Sequence, residues 1–147
     1  MKSSRPQKVR AIRPNALSSP AWLLRGISSI PGELRLSGSR ISFIAHGVGS
    51  AWDWQLRKLE RLAGNPGFAK SLKDGSTALL FNESLTDIHV RSPWYYFSGG
   101  LVLQIRGEPY RLSFGKPASS SNDDDELATL STMRQAGKKW LHALTSE

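Results

Sequence analysis

The stretch Gly32–Ala45, GELRLSGSRISFIA, decides how the rest of the chain is read. Leu34 and Leu36, then Ile41, Phe43 and Ala45, fall on alternate positions, with Arg35, Ser39, Arg40, Ser42 and Ile44 between them. A period of two turns one set toward a core and the other toward solvent, the mark of a half-buried strand. Ser37-Gly38-Ser39 interrupts the alternation and supplies a turn, so the stretch predicts an antiparallel hairpin.

The same signal recurs on both sides. Trp22–Ile27 predicts a preceding strand, with Pro31-Gly32 as the turn into the next, and His46-Gly47-Val48-Gly49 closes the hairpin. Thr77–Phe81, Leu85–Arg91, Leu101–Ile105 and Tyr110–Phe114 predict further strands. Pro93 breaks the second of these, after which Trp94-Tyr95-Tyr96-Phe97 continues at an edge. Ser98-Gly99-Gly100 and Gly107-Glu108-Pro109 read as turns.

Two segments follow a helical period instead. From Ser50, Trp52, Leu56, Leu59, Leu62 and Ala63 share one face, with Ser50 as cap, Asp53 in a capping-box position, and Gly64 and Pro66 as the stop. Gly67–Gly75 reads as a polar, basic connection. The second helix follows the acidic run Asn122–Glu126, whose charge suits a helix N-terminus, and carries a stripe of Leu127, Leu130, Met133, Gly137, Leu141 and Leu144 broadened by Trp140. That run lacks the spaced ligands and the glycine of a calcium loop.

The 147 residues fit one domain, residues 21–147, after a basic arm at 1–20 expected to be disordered. With no cysteine, the chain has neither disulfides nor thiolate chemistry, which suits a reducing, cytoplasmic setting. A net charge of +8 favours anionic partners: a lipid surface, an acidic protein or nucleic acid. No apolar run approaches the length of a membrane span, so any membrane association is expected to be peripheral.

Gly32-Glu33-Leu34-Arg35-Leu36-Ser37 with Arg40-Ile41-Ser42-Phe43 is similar to the GRAM pattern G-x-L-x-[LI]-[ST]-x-x-R-[LI]-x-F. Leu85–Val90, Gly100–Leu103 and Tyr110–Phe114 extend the likeness, which covers about residues 22–144. The chain thus resembles the GRAM branch of the pleckstrin-homology-like superfold. The resemblance implies a mostly β fold, a partly open barrel of about seven antiparallel strands capped by one C-terminal helix. The helix and loop at 50–75, with the helix near 50–64, stand where that family has a short connection. The resemblance also implies an anion site built from basic residues of the first strands, here Arg25, Arg35 and Arg40; alternation turns Arg35 toward solvent.

A second basic group is read from the residues themselves. Trp54, Arg57, Lys58 and Arg61 fall at i, i+3, i+4 and i+7, on the helix face opposite the leucine stripe. Such a face suits an anionic lipid surface, with the indole at headgroup level, or a nucleic acid with the ring stacked on a base. Its ordinary reading is a solvated face with Trp54 covered by Arg57 or Arg61 through a cation–π contact, or packed on another part of the domain. The run Trp94, Tyr95, Tyr96 and Phe97 is a candidate contact surface for a protein partner.

Nothing in the sequence marks an enzyme. His46, His89 and His142 are scattered, Asp87 and His89 lack a nucleophile, and no metal-ligand spacing, nucleophile elbow or phosphate loop is present. The sequence therefore predicts a non-catalytic binding module without cofactor or metal, associating with anionic membrane lipid through a basic surface. Its alternatives are a protein-interaction domain, using Trp94–Phe97 or a sheet edge, and a nucleic-acid binder.

Overall fold

In the computed structural model of the protein, the described residues are 16–91, 99–115 and 123–145. The hairpin at 32–45 lies within a seven-stranded antiparallel sheet. The elements run β1 (Ala16–Arg25), β2 (Ser28–Ser37), β3 (Arg40–Ala45), α1 (Asp53–Ala63), α2 (Phe68–Lys73), β4 (Ala78–Ser84), a 3₁₀ turn (Leu85–Asp87), β5 (Ile88–Arg91), β6 (Gly100–Ile105), β7 (Glu108–Ser113) and α3 (Asp123–Thr145). Strand order is β4-β3-β2-β1-β7-β6-β5, so the first and last strands meet in the middle and β4 and β5 form the edges. The expected mostly β architecture, with one C-terminal helix and a helical insertion after β3, is the one observed.

The sheet is curled rather than flat. Phe81 on β4 meets Tyr110 on β7 with ring centroids 5.3 Å apart, although three strands lie between them in the sheet. An ion pair from Arg106, in the β6–β7 turn, to Glu83 on β4 follows the same curl. Twisted strands bend in this way when one face is buried on itself. The enclosed face carries Leu34, Leu36, Ile41, Phe43, Leu103 and Leu112, as the alternation requires. The result is a partly open barrel. The last helix packs against it through Trp140, fully buried, stacked on Phe114 at 6.1 Å and donating its indole N–H to Ser19 Oγ at 2.9 Å. Met133, Leu141 and Leu144 on the same helix are half-buried.

Several boundaries differ from the sequence reading. β1 begins at Ala16, so residues 16–20 of the expected arm belong to the strand, while 1–15 lie outside the described residues. Pro20 is accommodated because β7 pairs with β1 only from Trp22 to Leu24, leaving Pro20 with β2 alone as a neighbour. β2 begins at Ser28, and the β1–β2 turn is at Gly26-Ile27, not at Pro31-Gly32. Gly32 is needed for a different reason: a Cβ there would overlap the Ile44 carbonyl oxygen and the Phe43 ring.

Leu85–Asp87 forms a 3₁₀ turn, so β5 is shorter than expected. Gly67–Gly75 contains α2, which buries Phe68, Ala69 and Leu72. The aromatic run Trp94–Phe97 lies outside the described residues, as do the loop at 116–122 and the side chains of Leu127 and Leu130.

Candidate functional site

The insertion is fixed to the end of the β1–β2 hairpin by short-range polar contacts. Ser50 is not the cap of α1. Its Oγ accepts the Ser29 amide at 2.9 Å, and its own amide donates to the Ser29 carbonyl at 3.0 Å. The N-cap is Trp52, whose extended backbone places it before the helix, and its amide donates to Gln55 Oε1 at 2.8 Å. Gln55 is buried and spends its other end on β1, donating Nε2 to the Arg25 carbonyl at 3.2 Å. One carboxamide thus links the start of the helix to the end of the first strand.

This changes the fate of both tryptophans. Trp52 is exposed rather than part of the buried stripe, because a residue ahead of the helix does not follow its period; Leu56 and Leu59 carry that stripe. Trp54 is exposed, as the opposite face requires. Among the described residues no cation–π contact covers it.

β1 and β7 stay paired as far as Leu24 and Arg111. Around that end of the pairing lies a hollow of about 310 Å³, lined by Leu24, Arg25 and Gly26 from β1 and its turn, Pro109 and Arg111 from β7, and Trp54, Gln55 and Lys58 from α1. Arg25 from the first-strand set and Trp54 with Lys58 from the helix set therefore share one site. The lining holds three cations and no carboxylate. Among the described residues none of Arg25, Lys58 and Arg111 has an ion-pair partner. Tyr110 of β7 is buried. Burial raises its hydroxyl above the usual tyrosine range, while the charges of Arg106 and Arg25 oppose the rise.

The other predicted cations are engaged elsewhere or stand apart. Arg35 pairs with Glu33 at 2.9 Å, and the carboxyl of Glu33 is held below its ordinary range by hydrogen bonds from Ser18 and Arg35. Arg40 donates to the Asn82 side chain at 3.0 Å and to its carbonyl at 2.8 Å. Arg57 pairs with Asp53 at 2.8 Å, and Lys73 of α2 pairs with the same carboxylate. Arg61 is exposed on α1, outside the lining of the hollow.

Arg111 is the residue that sequence reading missed. Its alternation on β7 marks it only as solvent-facing, and its pairing opposite Leu24 is what brings it to the hollow. The hollow offers positive charge, an indole face and one carboxamide, and has no histidine or acid to move a proton. Asp87 lies in the 3₁₀ turn and His89 on β5, both exposed, and no cluster of metal-ligating side chains occurs among the described residues. No protein-family model matches the chain, and no curated protein matches it.

Proposed function

We propose that this protein is a non-catalytic binding module of pleckstrin-homology-like, GRAM-like type that attaches peripherally to anionic membrane lipid through the hollow beside α1. The observation that carries the reading is the sorting of its cations. Arg35, Arg40 and Arg57 are engaged within the protein, whereas Arg25, Lys58 and Arg111 converge on one hollow with no acid in its lining. Like charges so gathered repel one another, and an anion relieves that repulsion. Trp54 at the same site suits headgroup depth. No helix among the described residues is long and apolar enough to cross a membrane, so attachment by surface contact fits the elements present.

Co-sedimentation with vesicles of graded anionic lipid content tests this. Near an anionic leaflet each Lys or Arg contributes about 1 kcal/mol, so Arg25, Lys58 and Arg111 together contribute about 3 kcal/mol, or roughly a hundredfold in affinity. The Arg25→Ala/Lys58→Ala/Arg111→Ala protein should lose binding by about that factor, while Arg35→Ala/Arg40→Ala changes it little. Equal loss in both proteins would mean that net charge, not the hollow, does the binding. Binding to single-stranded nucleic acid with a steep salt slope, and none to vesicles, would move the function to that class.

A further inference from the structure

Large exposed apolar side chains are few among the described residues: Ile27 (101% exposed), Trp52 (65%), Trp54 (62%) and Leu79 (42%). Three of these four stand at the end of the molecule that bears the cationic hollow. Trp54 lines it, Ile27 follows Gly26 of its lining, and the Trp52 amide is joined through Gln55 to the Arg25 carbonyl. The β1–β2 turn and the start of α1 thus bring three exposed apolar side chains to the end of the molecule that holds Arg25, Lys58 and Arg111. An isolated exposed apolar residue needs no explanation, but a cluster beside unpaired cations does.

Resting on the membrane reading above, we infer that Ile27, Trp52 and Trp54 enter the boundary between headgroups and acyl chains while Arg25, Lys58 and Arg111 hold the phosphates. The occupant of this surface is an anionic bilayer, and the argument for it is the charge complementarity of that end of the molecule. Indoles favour the interfacial layer, where the ring sits among apolar atoms and its N–H stays wet. Such attachment combines apolar burial with electrostatic attraction. Salt screens the electrostatic part and leaves the apolar part standing.

The test uses the full chain with vesicles of phosphatidylcholine and phosphatidylserine, with and without brominated acyl chains, at low and high salt. The protein should remain bound in part at high salt, and brominated lipid should quench its tryptophan emission. Trp52→Phe/Trp54→Phe should keep the binding and lose most of that quenching, which separates these indoles from the protein's other tryptophans. Ile27→Ser/Trp52→Ser/Trp54→Ser, at exposed positions that the fold tolerates, should lose the salt-resistant binding, weakening it about tenfold or more. Quenching unchanged in the phenylalanine protein, or low-salt binding that high salt abolishes, would overturn the insertion and leave the electrostatic attachment standing. No binding to anionic vesicles at low salt would overturn both.

Discussion

At the scale of the residue, the sharpest constraint is on Gly32. Its place beside Pro31 makes it look like a turn glycine, yet it sits inside β2, where Phe43 and the Ile44 carbonyl close over the position a Cβ would take. Backbone cannot step aside as a side-chain end can. Gly32→Ala should cost about 2–3 kcal/mol by overpacking, read as a lowered denaturation midpoint with an unchanged slope. Gly115 provides the comparison. The atoms a Cβ would meet there belong to the Met133 side chain, which can rotate away, so Gly115→Ala should cost clearly less. A Gly32→Ala protein as stable as the wild type would show that β2 and β3 can move apart. Residue identity was legible at most core positions, because alternation is local: Leu34, Leu36, Ile41, Phe43, Tyr110, Leu112 and Phe114 are all buried as read. It failed at Gly32, whose constraint comes from the facing strand β3, and at Arg111, whose role is set by pairing with β1 far away in sequence.

At the scale of the element, the insertion is a pair of helices rather than one helix and a loop. The missed α2 had its signal in Phe68 and Leu72, one helical turn apart, masked by Lys70, Lys73 and the flanking glycines. Contacts from four residues of α1 hold the pair together. Leu56 and Leu59 are buried in the core, Glu60 accepts the Ala69 amide at 2.9 Å, and Asp53 joins Arg57 to Lys73. Asp53 has its carboxyl held below the ordinary range, first by the hydrogen bond from Lys73, with desolvation opposing and the charges of Arg57 and Lys73 adding to the fall. A carboxylate lowered in this way supports the fold fully above its unfolded value, and the support is lost as pH falls through the folded value. Amide exchange in residues 53–73 should therefore accelerate relative to the sheet as pH drops below the ordinary carboxylate range, after correction for intrinsic rates. Asp53→Asn should remove that extra dependence. The effect is modest, because the pair is exposed and salt screens it. Persistence of the acceleration in Asp53→Asn would assign it to another group.

At the scale of the whole molecule, the curl of the sheet has an apolar and a polar tie, and they are unequal. Phe81 is buried against Phe43 and Tyr110, whereas the Arg106–Glu83 pair joins a half-exposed arginine to a largely covered carboxylate. Phe81→Ala should cost about 3–5 kcal/mol, while Glu83→Gln should cost less than about 1 kcal/mol; thermal or urea denaturation ranks the two. The opposite ranking would mean that charge, not the ring contact, closes the sheet. Strands were legible one by one, but their neighbours were not. No local pattern says that β7 lies beside β1, and the candidate site exists only because it does. Arg25, Lys58 and Arg111 are spread over 87 positions, and only the strand order gathers them.

That same adjacency governs how the chain is made. Its first strand waits for its last ones: β1 pairs with β7, and Ser19 accepts the indole proton of Trp140 across 121 positions of sequence. During synthesis the ribbon from β1 to β4 can form as it emerges, for each of its strands pairs with the next. The inner edge of β1, from Trp22 to Leu24, stays open until the ribosome has delivered β7, and the barrel stays unplugged until α3 follows. Contacts this distant slow folding and prolong exposure of apolar surface. The nascent chain therefore passes through a half-built stage with one sticky edge, the interval in which a chaperone would find most to hold.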